Sequence, residues 1–151
     1  YSFFEYCLYL SISNTLCWSP DRKTFYFGDT LDNVVWAFDY DAGEITNRRD
    51  HFRGFDRGLP DGSAIDAEGT LYNCRFGGGC IARVGPDGNL RDAIDIGVPN
   101  VTTCVFGGAD LRTLFITTAS IVTPPGHRLA GSLYRTRVEV PGMAENLMAV
   151  R

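Results

Sequence analysis

With 151 residues, 44% of them hydrophobic, the chain is long enough to bury a core and too apolar to stay disordered, so one domain over 1–151 is the expectation. Fourteen basic residues against eighteen acidic ones leave a net charge of −4 with no basic run, which excludes nucleic acid as a partner. Seventeen glycines and 13% aromatic residues, with repeated Asp-Gly, Pro-Asp and Gly-Gly steps, suit short strands joined by tight turns, and the fold class is all-β.

The chain opens on an apolar run, residues 1–10, that lacks the basic start of a signal peptide and is too short to cross a bilayer. It reads as a strand, and no membrane partner is expected. Three segments then repeat one order: an apolar anchor, a turn, and Thr-apolar-aromatic. The anchors are Trp18, Ile65 and Phe106, and the threonines are Thr24, Thr70 and Thr113. Their period of about 45 residues is the size of one four-stranded propeller blade. Each unit continues into an alternating strand, at residues 34–39, 80–84 and 131–135. In the first two units a turn follows, Asp41-Ala42-Gly43 and Pro86-Asp87-Gly88, and then a polar outer strand from Glu44 or Asn89. Val140-Pro141-Gly142 takes the corresponding place in the third. The repeat therefore predicts a β-propeller of which about three four-stranded blades are present. Residues 53–60 and 121–128, rich in Gly and Pro, read as rim loops.

Four residues before each anchor stand Asn14, Asp61 and Thr102. The first strand of a propeller blade lines the central channel, so these three polar side chains converge on the axis from neighbouring blades. Carboxylate and amide oxygens in that arrangement suit one divalent metal ion, Ca²⁺ or Mg²⁺, and also Zn²⁺ or Mn²⁺. Asn and Asp also bond readily to nearby backbone, and as turn caps the same residues would need no ligand. Spacing leaves both readings open.

Other conspicuous residues carry plainer roles. Five cysteines, Cys7, Cys17, Cys74, Cys80 and Cys104, form an odd set without a CxxC pair, which favours buried thiols in a reducing, cytoplasmic setting. Gly77-Gly78-Gly79 lacks the lysine of a phosphate loop and reads as a hairpin turn. His51 and His127 have no His or Cys partner at ligand spacing, and no GxSxG motif offers a nucleophile. Asp66 and Glu68 sit in a turn, facing solvent. Trp18, Trp36, Phe38 and Tyr72 fall on alternating strand positions and are expected in the core between blades.

The residues around the candidate ligands add discrimination. Ile12-Ser13-Asn14, Leu16 and Trp18-Ser19-Pro20-Asp21, followed by Thr24-Phe25-Tyr26-Phe27-Gly28-Asp29-Thr30, resemble a stretch characteristic of the SMP-30/gluconolactonase/regucalcin family. Ala37 to Asp41 with residues 43–49, Leu59-Pro60-Asp61-Gly62 with residues 65–71, and residues 101–108 follow in that family's order. The resemblance implies a six-bladed propeller that binds one divalent metal ion in its channel and hydrolyses sugar lactones. It implies metal ligation by Asn14 and Asp61, with Asp61 also the general base of catalysis, and it leaves Thr102 unassigned. A glutamate ligand and several substrate contacts of the family belong to an N-terminal half that this chain is expected to lack. A regucalcin-like calcium-binding or regulatory protein, or an inactive half-propeller, would share the same residues. Members usually carry Gly where this chain has Thr15, and a β-branched residue there would move Asn14 if the position needs positive φ. Open blade edges at both ends of a three-blade arc predict an unstable chain or self-association with a second copy.

Overall fold

The computed structural model describes residues 10–144. The opening strand expected over residues 1–10, and Cys7 with it, lie outside the described residues except for Leu10. Eleven strands and no helix are present among the described residues. They are β1 Ser13–Trp18, β2 Thr24–Asp29, β3 Val34–Asp41, β4 Glu44–Arg53, β5 Leu59–Ile65, β6 Leu71–Phe76, β7 Cys80–Val84, β8 Leu90–Asp95, β9 Val101–Gly107, β10 Thr113–Thr118 and β11 Leu133–Arg137.

Three antiparallel meanders result, ordered β1-β2-β3-β4, β5-β6-β7-β8 and β9-β10-β11. Short turns account for this order in the first two sheets and for β9–β10, because residues adjacent in sequence pair first when a loop of only a few residues joins them, whereas a longer connection over residues 119–132 joins β10 to β11. Gly77-Gly78-Gly79 makes the β6–β7 turn, with Gly77 and Gly79 at φ of 77° and 66°. The first two sheets have the four strands of a blade, and three strands of the third are described. Contacts of β5 with both β1 and β9 place the first strand of each sheet beside the next around a common axis.

Period-two alternation decides which face of each blade is buried against which neighbour. Tyr26, Val35 and Ala37 of the first blade pack on Ile65, Leu71, Ala82 and Val84 of the second. Tyr72, Cys74 and Ile81 of the second pack on Val101, Cys104, Phe106, Leu114 and Ile116 of the third. Tyr72 and Phe106 meet edge-on across that junction, their ring centroids 5.1 Å apart. Of the four aromatics expected between blades, Tyr72 alone lies at a junction of two described blades. Trp36 and Phe38 pair opposite Phe27 and Phe25, which turns them to the other face of the first blade, where Trp18 packs against them. The strand alternation was right, and its phase separates these residues from the second blade.

Beyond β11 the chain returns beneath the second and third blades. The Ala67 amide donates to the Pro141 carbonyl, the Gly142 amide donates to that of Leu111, and Asp66 and Gly142 form an antiparallel bridge. Asp66 is buried and not in solvent as expected, because its carboxylate accepts from the backbone amides of Glu68 and Thr70 and so caps the turn. Glu68 is exposed.

His51 of β4 lies at the junction of the first two blades, its ring 4.8 Å from that of Tyr26 and its Nε2 buried without a partner. Burial, then the nearby Arg49 charge, push its pKa down to about 4. The unfolded chain therefore binds this proton more readily than the folded one, and the contribution to stability is full above about pH 6.5 and shrinks as pH falls toward about 4. The expected loss is at most about 3 kcal/mol. Thermal melts from pH 7 to 4.5, with His51→Phe beside the wild type, check it, since the variant should lose less stability over that interval.

Candidate functional site

Asn14 and Asp61 stand where the strand ladder is interrupted, which breaks the regular alternation of side chains between the two faces. Each first strand carries such an interruption. The β1–β2 register shifts between Asn14 and Leu16, the β5–β6 register between Pro60 and Ser63, and the β9–β10 register between Thr117 and Thr118, opposite Thr102. An extra residue in one strand bends it and re-aims its side chains, and such bulges recur beside functional sites. The first two fall at equivalent points of the repeat, and the third, at Thr102, lies one residue earlier in the repeat than the bulge at Thr15.

The bulge residue in β1 is Thr15, at φ 49°, and it is buried. This is the left-handed conformation that glycine adopts without penalty and a β-branched residue adopts only when its surroundings hold it. The holding contact is the hydroxyl, which donates to the Asp61 carbonyl at 2.6 Å. In β5 the equivalent residue is Gly62, and a Cβ there would lie 2.5 Å from that of Thr103 and 2.9 Å from the Thr102 carbonyl. Glycine at 62 lets the second and third blades approach at the bulge.

A second bridge joins the first two bulges. Thr30 Oγ1 donates to the Pro60 carbonyl at 2.8 Å, so its remaining capacity is that of an acceptor, and Asn14 Nδ2 donates to it at 2.8 Å. That fixes the amide of Asn14: the NH₂ group is engaged and Oδ1 is left as the acceptor. Asp61 is partly buried and forms no ion pair among the described residues. Burial raises its pKa, opposed by a hydrogen bond from the Gly62 amide, because the carboxylate is withdrawn from water without a counter-charge.

The structure therefore brings Asn14 and Asp61 to one blade junction, tied by two hydrogen-bonded bridges. Thr102 is not joined to them. Its hydroxyl pairs at 2.7 Å with Thr117 of its own blade. Among the described residues no group of three His, Cys, Asp or Glu side chains gathers at metal-ligand spacing. An amide oxygen and an unbalanced carboxylate at one blade junction nevertheless match the preference of a hard divalent cation for oxygen donors. Among the described residues Cys17, Cys74, Cys80 and Cys104 are free, and burial pushes the Cys17 thiol up to about 12 and that of Cys74 well up too, so neither is a ready thiolate.

Beneath the two bulges lies a polar web that neither the repeat nor the motifs disclosed. Asn73 of β6, fully buried, donates from Nδ2 to Ser63 Oγ at 2.9 Å and to Thr15 Oγ1 at 3.3 Å. Its Oδ1 accepts from Arg75 Nη1 at 2.9 Å. Arg75, also buried, donates further to the carbonyls of Arg57, Phe55 and Gly58 and to Asn33 Oδ1. A sequence signal was available: aligned on the repeat threonines, Asn73 stands where the other units have Phe27 and Ile116.

Residues 8–120 match the SMP-30/gluconolactonase/LRE-like region. The chain belongs to this family. It is 39% identical over 145 residues to the 6-deoxy-6-sulfogluconolactonase of Pseudomonas putida, covering 91% of this chain and 50% of that protein. With human regucalcin it shares 37% identity over 144 residues, 89% of this chain and 48% of the relative. Among solved structures, a calcium-binding regucalcin from Agrobacterium tumefaciens superposes with a TM-score of 0.86 at 30% identity, over 93% of this chain and 50% of that one. The chain thus spans about half the length of the curated relatives it matches. The match includes both bulges that carry Asn14 and Asp61. No helix among the described residues is long and apolar enough to cross a membrane.

Proposed function

We propose that this chain contributes part of the site of a metal-dependent lactone hydrolase whose substrate is a sugar lactone. The observation that carries the reading is the pairing of Asn14 and Asp61 on equivalent bulges of adjacent blades, within a family whose relatives include a sulfogluconolactonase. Asn14 Oδ1 and the Asp61 carboxylate are the residues that would hold one divalent ion, with further ligands from outside this pair. When bound, such an ion supplies Lewis-acid polarisation of the lactone carbonyl. Asp61 accepts the proton of the attacking water, a role open to a carboxylate that makes no ion pair in the described structure. Asn14, its NH₂ group engaged by Thr30, keeps Oδ1 as the atom open to a ligand and cannot present nitrogen without losing the Thr30 bond.

The calcium-binding relative supports a second reading, in which the same pair binds Ca²⁺ without turnover. Opening of an aldonolactone, followed by acid release with Ca²⁺, Mn²⁺, Zn²⁺ or Mg²⁺ added in turn, separates the two. The expected result is hydrolysis above background that depends on one of these ions. Ion binding without hydrolysis would leave the calcium-binding reading standing and overturn the enzymatic one.

A further inference from the structure

We infer that Asn73 and Thr15 are positioning residues that set the affinity of the Asn14–Asp61 pair for a divalent cation. The inference rests on the reading of that pair as a cation site. Asn14 and Asp61 come from different blades, so nothing covalent near them fixes their separation. Apolar packing docks the two blades, and hydrogen bonding at the bulges sets the local separation, most of it passing through Thr15.

The proton inventory admits one arrangement. Thr15 Oγ1 gives its single proton to the Asp61 carbonyl, an acceptor only. Ser63 Oγ, 2.8 Å away, must then donate to Thr15 Oγ1, and it accepts in turn from Asn73 Nδ2. Asn73 Nδ2 also reaches Thr15 Oγ1, while its Oδ1 is held by Arg75. Every group in the chain Arg75–Asn73–Ser63–Thr15–Asp61 has one role, and none can reverse without stranding a buried polar atom. The Asp61 carbonyl is thereby tethered to the residue that follows Asn14, and the tether also holds Thr15 in its left-handed conformation. Partners of this kind orient metal ligands without touching the metal, and their loss commonly weakens binding about 10–100-fold.

Thr15→Val tests the inference, because it keeps the branched shape and removes the hydroxyl. Titration calorimetry with Mn²⁺ and with Ca²⁺ should give a dissociation constant about 10–100-fold higher than wild type, largely recovered in Thr15→Ser. A merely structural role would lower the metal-free thermal midpoint and leave the affinity alone. Equal affinity of wild type and Thr15→Val, within about twofold, overturns the inference while leaving the cation site intact. Failure of the wild type to bind either ion overturns the site itself and the inference with it.

Should Thr15→Val not fold, Asn73→Asp serves the same end. It keeps an acceptor for Arg75 but removes both amide donors, so the Ser63 and Thr15 hydroxyls compete for the new carboxylate and the tether to the Asp61 carbonyl weakens. The same fall in affinity is expected, and binding as tight as wild type in that variant counts against the inference equally.

Discussion

Arg75→Met should lower the thermal midpoint by about 10 °C or more, through a loss of about 3–5 kcal/mol, because the guanidinium is a buried pin whose partners cannot be removed with it. Two effects oppose each other. Burial depresses the Arg75 pKa to about 10, which corresponds to a cost of about 3 kcal/mol for keeping the charge inside, and an apolar side chain escapes that cost. Replacement of a whole buried ionic group by apolar residues is often harmless for this reason. Here, however, the acceptors are the backbone carbonyls of Phe55, Arg57 and Gly58 and the amide oxygens of Asn33 and Asn73. A substitution at 75 leaves all five in place. Among the described residues the Phe55 carbonyl keeps a second side-chain donor, Asn33 Nδ2. Each remaining orphan costs about 1–3 kcal/mol, so the loss outweighs the relief. Arg75→Lys should recover only part of it, since one ammonium cannot span acceptors that approach Nε and both terminal nitrogens. A midpoint for Arg75→Met within a few degrees of wild type would show that water reaches these carbonyls and that the pin is dispensable.

The same position explains how far the sequence could be read. Thr24, Thr70 and Thr113 mark the period, and counting five residues on from each reaches Asp29, Arg75 and Thr118. All three pin rim segments: Asp29 accepts from the amides of Ser11 and Leu31, Arg75 holds the loop before β5, and Thr118 donates to the Ser132 carbonyl. The repeat thus predicts blades, turns and the placement of Asn14 and Asp61, because those follow from local periodicity. It does not predict that one pin is a carboxylate, one a guanidinium and one a hydroxyl, because each answers to a loop of different length and sequence. The web through Asn73 was illegible for a related reason. Its members stand 58 and 10 residues apart in the chain, and only the docking of two blades brings Thr15 and Ser63 to the same amide. Thr15 was visible as a departure from glycine, yet the compensation for its strained backbone lies in another blade. The phase of Trp36 and Phe38 was hidden likewise, since alternation gives two faces and not which neighbour each face meets.

Asp61→Asn should abolish metal-dependent lactone opening, lowering turnover by about 10²–10⁴-fold, while leaving the metal-free protein as stable as wild type. The two halves of this expectation come from one fact. Asp61 is partly withdrawn from water and has no cation beside it among the described residues, so its charge is unfavourable to the folded state. A carboxyl whose folded pKa is raised contributes stability below its unfolded value and forfeits it as pH rises through the folded one. At neutral pH the wild type therefore carries a liability that asparagine lacks, and the near-isosteric amide still presents an oxygen to the Gly62 amide. The backbone carbonyl of residue 61, which receives the Thr15 hydroxyl, is unchanged by the substitution. Added Mn²⁺ or Ca²⁺ should raise the thermal midpoint of the wild type, by the logic of a ligand that binds only the folded state, and should do so far less in Asp61→Asn. Full activity in Asp61→Asn would remove Asp61 from the chemistry. A variant that lost activity only because it unfolded would show it in the metal-free melt, where the burial of Asp61 predicts no loss at all.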